Sequence, residues 1–155
     1  MARRLAAAGA AALLAGVAAG PAHAVAQPAG AAAERQQTVP GTQAARSTKV
    51  TLTNRTPLAW TRWEASLVHG MWYPEPPATI AADSSGTWQS ESNGVLTGTE
   101  GLAVFGTQHG PVEIYWNNPY FGSNKYGCRA PSGYSCRQTG GPGNNASVTF
   151  EVGWL

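Results

Sequence analysis

The chain has 155 residues, with ten Lys and Arg, eight Asp and Glu, and three His. Arg3, Arg4, Arg35, Arg46 and Glu34 all precede residue 48, so the remainder carries six basic against seven acidic side chains, a formal charge of −1. Its cations, Lys49, Arg55, Arg62, Lys125, Arg129 and Arg137, are spread thinly and lack the clustered footprint of a nucleic-acid-binding surface, so no nucleic-acid partner is expected.

Arg3 and Arg4 lead an apolar Ala/Leu/Val run from Leu5 to about Ala19, and Ala22, His23 and Ala24 supply a small-x-small cleavage site. Residues 1–24 therefore read as a secretory signal peptide, and the protein as secreted and extracellular. The run is shorter than the roughly 18 apolar residues of a membrane span. From Val25 to Ser47 there is no aromatic residue and no apolar period, and this stretch reads as a disordered Ala/Gln/Pro-rich leader. All six Trp, five Tyr and three Phe fall between Trp60 and Trp154, which places one folded domain at residues 48–155.

Within that domain the strand signals are short and separated by turn residues, the pattern of an all-β sandwich or barrel. Lys49–Thr53 alternates and ends at Asn54, Arg55, Thr56 and Pro57; Leu58–Leu67 follows as a longer alternation through Trp60, Arg62 and Glu64. Pro74, Pro76 and Pro77 force an irregular connection before Thr79–Ala81 and Gly86–Glu91, two further extended pieces. Ser92–Gly94 and Thr97–Thr99 are turn material, and Glu100–Phe105 resumes a strand. Gly106–Gly110 then reads as a hairpin loop into a strand carrying Val112, Ile114 and Trp116 on one face and Glu113, Tyr115 and Asn117 on the other. Pro119 ends that strand in an aromatic loop, and Ala146–Val152 forms a last alternating strand. No segment has a sustained 3.6-residue period.

Cys128 and Cys136 are the only cysteines, and in an exported chain they are expected to pair and fix the shape of the short loop holding Pro131, Gly133 and Tyr134. Two His and one Asp in the domain match no zinc or calcium spacing, so neither a metal nor another cofactor is expected. No nucleophile elbow flanks a serine, which argues against a hydrolase triad. A small secreted ribonuclease would have to draw on Glu113, His109 and Arg129. Asn54–Thr56 and Asn145–Ser147 match the glycosylation sequon.

The aromatic residues divide by position. Trp60, Trp88 and Trp116 alternate within strands, as core residues do, whereas Trp72, Tyr73, Tyr120, Phe121 and Tyr126 stand beside Pro and Gly in loops. Loop rings at one end of a β domain suit a bilayer interface or stacking on a sugar. A sugar-binding module would use Trp72 and Tyr120 as platforms, with Asn117 and Asn118 as polar partners.

Three blocks carry a family resemblance. Ile114-Tyr115-Trp116-Asn117-Asn118-Pro119-Tyr120-Phe121-Gly122-Ser123 resembles the Tyr-Trp-acidic-x-Pro-aromatic-Gly-Ser pattern of the aegerolysin-type haemolysins and their bacterial relatives. Thr97-Gly98-Thr99-Glu100-Gly101, behind Ser90–Gly94, is similar to that family's Glu-Gly step into a strand, and Leu67–Trp72 is similar to a tryptophan-bearing segment early in the domain. The resemblance implies a single antiparallel β-sandwich, related in shape to actinoporins, that is not an enzyme. It implies binding of a membrane lipid with a sphingolipid-like headgroup, alone or as the targeting half of a cytolysin with a larger pore-forming protein. Glu100 would match the headgroup-binding glutamate, and Trp116, Tyr120 and Trp72 the aromatics of the lipid-binding end, joined by Asn117 and Phe121. The chain departs from the pattern at Asn117, where the family is acidic, and at Tyr120-Phe121, where it has a Trp.

Overall fold

A computed structural model describes residues 44–155; the expected signal peptide and nearly all of the expected leader lie outside the described residues. Ten strands and no helix form among these residues. In chain order they are β1 (Ser47–Arg55), β2 (Trp60–His69), β3 (Met71–Trp72), β4 (Thr79–Ile80), β5 (Ser85–Glu91), β6 (Thr99–Thr107), β7 (Gly110–Asn118), β8 (Lys125–Arg129), β9 (Tyr134–Gly140) and β10 (Asn145–Trp154).

They build two five-stranded sheets, ordered β3-β5-β1-β10-β9 and β4-β2-β6-β7-β8, packed as the expected β-sandwich. The pairing is antiparallel apart from one addition to the expectation: β1 and β10 run parallel, from Ser47↔Asn145 to Arg55↔Gly153. The two-residue period sends one face of each strand inward. Val50 and Leu52, Phe105, Val112 and Ile114, and Val148, Phe150 and Val152 are all buried in one core.

The three strand tryptophans are core, as their alternation indicates: Trp60, Trp88 and Trp116 are each fully buried. Trp116 and Trp88 have ring centroids 5.9 Å apart, and Trp88 and Phe105 6.0 Å. Trp72 extends the row, 5.7 Å from Trp116. Each such pair adds about 0.5–1.5 kcal/mol beyond area burial. The Trp116 indole N–H donates to Ser90 Oγ at 2.8 Å, and Thr99 donates its hydroxyl to the same oxygen, so the buried polar atom of the tryptophan is satisfied.

One expectation needs correction here. Cys128 and Cys136 do form a disulfide, but it does more than shape a loop. Cys128 lies on β8, an edge of one sheet, and Cys136 on β9, an edge of the other, so the bond staples the two layers along their shared open side. The sequon at Asn54 is internal. Asn54 is fully buried, donates its amide to the carbonyls of Leu58 (2.7 Å) and Ala81 (3.0 Å), and accepts from the Thr56 backbone N–H and hydroxyl. It is a structural latch with no accessible amide to modify.

Candidate functional site at one pole of the sandwich

β6 and β7 position the polar centre of the site. Their register sets Glu100 directly opposite Asn117, and strand alternation turns both side chains to the outer face, away from the core. Tyr115, two residues before Asn117 on the same face, donates its hydroxyl to Glu100 Oε1 at 2.7 Å, and Asn117 Nδ2 donates to the Tyr115 oxygen at 3.3 Å. Register continues this row outward, to His69 of β2 beside Glu100 and Lys125 of β8 beside Asn117. Burial, and after it the hydrogen bond to Glu100, push the Tyr115 pKa above the ordinary 10.0.

The Glu100-Gly101 step now has a physical reason. Gly101 faces inward opposite Trp116, and a Cβ there would lie 2.5 Å from Trp116 Cζ2 and 2.7 Å from Leu67 Cδ2. The glycine admits the indole, and the indole packs beneath the strands that carry Glu100 and Asn117.

Beyond Asn117 the chain turns at Pro119 into the loop 119–124. A hollow of about 470 Å³ opens there between Asn117, Lys125, Pro119, Phe121, Gly122 and Ser123. Phe121 is 76% exposed on its rim. Arg46, which the sequence places in the leader, fastens this loop. Its guanidinium donates to the carbonyls of Pro119 and Tyr120 and lies 4.7 Å from the Tyr120 ring centroid. On the far side Asn124 donates to the carbonyls of Gly141 (2.8 Å) and Gly143 (2.9 Å), and Tyr126 to that of Gly141.

The same pole gathers two more loops. Asn93 donates to the Gly70 carbonyl, tying the β5–β6 loop to the β2–β3 junction, and Gly98 lies against Asn118 and Pro119. These segments expose Val68, Met71, Val95 and Leu96, with Val95 90% exposed at the tip and Leu96 held at a φ of 56°. Sequence reading passed over all four, because Val95 and Leu96 fall between the turn stretches Ser92–Gly94 and Thr97–Thr99 and isolated aliphatic residues are ordinary on a surface.

The expected site residues therefore separate. Glu100, Asn117 and Phe121 come together on the outer face and its adjoining loop. Trp116 does not join them: it is fully buried on the opposite face of β7, as its strand alternation requires, and cannot touch a ligand. Trp72 is half-buried with its ring tilted against Trp116, so it is the margin of the core. Tyr120 is half-buried, with the Arg46 guanidinium over one face of its ring and Phe121 in T-shaped contact at 4.9 Å, so it is engaged within the loop. Asn118 is fully buried and donates to the Ser47 and Asn144 carbonyls, so it cannot serve as a sugar partner. The proposed ribonuclease trio is also divided: Glu113 and Arg129 face each other at 4.0 Å, while His109 packs on Tyr134 at the opposite pole.

No protein-family model matches the sequence. A 93-residue stretch is 29% identical to an uncharacterized protein of Dictyostelium discoideum; it covers 59% of this chain but only 8% of that protein's length. Among solved structures the chain is similar to the lipid binding protein Nakanori, at 15% identity over 72% of each chain with a TM-score of 0.60, a likeness that shows the shared β-sandwich fold.

Proposed function

We propose that this protein is a non-enzymatic, secreted membrane-lipid-binding β-sandwich of aegerolysin type. In this reading one pole meets the bilayer: the Glu100–Tyr115–Asn117 cluster holds a sphingolipid-like headgroup in the neighbouring hollow, and Phe121, Val95, Leu96, Met71 and Val68 enter the interface. The observation that carries it is the convergence of three loops exposing apolar side chains beside a hydrogen-bonded polar cluster. Sharing its fold with a lipid binding protein supports the reading, and the disulfide supports export.

Magnitudes favour a division of labour. Full burial of one such aliphatic or aromatic side chain contributes about 2 kcal/mol, so partial insertion of five supplies on the order of 5 kcal/mol, near-millimolar affinity by itself. Selectivity then has to come from the polar cluster, where a carboxylate held in place by a phenol offers a fixed negative charge to a headgroup. The resemblance extends the proposal to a second component, a larger pore-forming protein recruited once the sandwich is bound.

Co-sedimentation of the full chain with liposomes of defined sphingolipid and phospholipid composition tests the reading directly. Retention on sphingolipid-containing vesicles and not on phosphatidylcholine alone is expected. Failure to sediment with any composition would reject it.

A further inference from the structure

The opposite pole carries a second constellation, built on Trp154. Trp154 is 52% exposed and lines two hollows, one of about 360 Å³ with Arg55, Ser135, Arg137, Glu151 and Gly153, the other of about 320 Å³ with His109, Ser132 and Tyr134. Both volumes fall in the range of small-ligand sites, roughly 300–1,000 Å³. The first is a trough over Gly153. A Cβ at that position would lie 2.9 Å from Arg55 Cβ, so the glycine lets the stem of Arg55 lie close across the strand.

Charge in the trough is unbalanced. Arg55 pairs with Glu151 at 2.8 Å, whereas Arg137, set opposite Glu151 by the β9–β10 register, makes no ion pair or side-chain hydrogen bond among the described residues. Two guanidiniums against one carboxylate leave one excess positive charge among these side chains, and Trp154 lines the same hollow. Around them the second Glu151 oxygen can accept hydrogen bonds, as can the Ser135 hydroxyl, which donates its own hydrogen to the Gly153 carbonyl at 3.3 Å.

We propose that this trough binds an acidic sugar, a saccharide bearing a carboxylate or sulfate. The apolar C–H face of the ring stacks on Trp154, the anionic group takes the Arg137 fork, and hydroxyls donate to Glu151 and Ser135. A neutral sugar leaves Arg137 unused, and a simple anion leaves Trp154 unused; an acidic sugar uses both. The site is independent of the lipid-binding pole and lies at the other end of the sandwich.

Titrating the full chain with 3′-sialyllactose, 3′-sulfolactose and lactose, followed by tryptophan fluorescence and saturation-transfer NMR, tests the assignment. Saturable binding of at least one charged sugar, about tenfold or more tighter than lactose, is expected from a charge-assisted hydrogen-bond pair. Arg137→Gln, on an exposed stretch of edge strand, and Trp154→Ala should each weaken that binding by a similar factor and leave vesicle retention unchanged. The inference is overturned if neither charged sugar saturates, if lactose binds as well as they do, or if Arg137→Gln binds like the parent protein.

Discussion

Gly101 and Trp116 face each other across β6 and β7, and the side chain the glycine lacks is the space the indole fills. The pair lies on the inner side of the strands whose outer sides carry Glu100 and Asn117, so core packing and the candidate site share one piece of backbone. Gly101→Ala must push the indole, Leu67 or the Ser66 carbonyl aside, and overpacking of this kind costs about 1–3 kcal/mol. Chemical denaturation should show that loss as a lower midpoint. An alanine variant as stable as the parent protein would mean the indole does not need the glycine.

Trp116→Ala removes the centre of the Trp72–Trp116–Trp88 row and takes from Ser90 Oγ one of its two donors, leaving only the Thr99 hydroxyl. A loss of about 3–5 kcal/mol is expected, large for a domain of this size. Any fall in vesicle binding should follow the unfolded fraction: measured at a temperature where the variant is still folded, affinity should be close to that of the parent protein. A loss of affinity in fully folded Trp116→Ala would return this residue to the site.

Glu100→Gln preserves an acceptor for the Tyr115 hydroxyl while removing the negative charge. Stability should change by less than about 1 kcal/mol, since the hydrogen bond is retained. Retention on sphingolipid vesicles should fall about tenfold, the equivalent of roughly 1.4 kcal/mol. Equal retention by both proteins, with both folded, would remove Glu100 from headgroup recognition.

Tyr115 and Tyr126 should both ionise above the ordinary tyrosine range. Burial raises both pKa values above 10.0, and for Tyr115 the hydrogen bond to Glu100 and its negative charge raise it further. Because the folded state favours the protonated phenol, the stability this contributes is complete below the unfolded value and is lost as pH rises through the folded one. Ultraviolet titration should resolve a late-ionising class, and Tyr115→Phe should shrink it and flatten the fall in stability above about pH 10.

The cross-sheet disulfide closes a short loop, with eight positions separating its cysteines, and chain-entropy reasoning assigns it about 2.5 kcal/mol. Cys128→Ser with Cys136→Ser should lower the denaturation midpoint by that amount. The larger consequence is local. β8 and β9 are edge strands, and without the staple their amides should exchange with solvent well ahead of those of β1 and β10. Uniform protection across all four strands would argue against a staple.

The strands legible in the sequence are those with one face in the core: β1, β5, β6, β7 and β10 show the two-residue period because burial imposes it, whereas the expected alternation of β2 through Trp60, Arg62 and Glu64 breaks at a bulge between Arg62 and Glu64, and Glu64 is exposed. β8 and β9 were hidden. Gly127 interrupts one, and β9 is exposed along most of its length, so no apolar period marks it. A motif singles out Glu100 and Asn117, yet their pairing depends on register, which spacing does not encode. The same motif assigns Trp116 to the lipid-binding end, whereas its alternation with Val112 and Ile114 already places it on the core face, where it is buried. Arg46 gave no signal at all, since its partners are carbonyls about 73 residues further along the chain.

Val95 and Leu96 give the sharpest separation between insertion and headgroup recognition. Both are exposed, so replacing them with serine removes apolar surface without opening the core. Each serine forfeits about 1 kcal/mol of partial insertion, and the pair should weaken vesicle binding on the order of tenfold to thirtyfold. Unlike the Glu100→Gln loss, which should appear only on sphingolipid vesicles, this loss should be proportionate on every lipid that binds, because burial of aliphatic surface does not discriminate among headgroups. If Val95→Ser with Leu96→Ser binds as well as the parent protein, the pole carrying these loops is not the bilayer-facing one, and any lipid affinity must lie on the outer face of β6 and β7 alone.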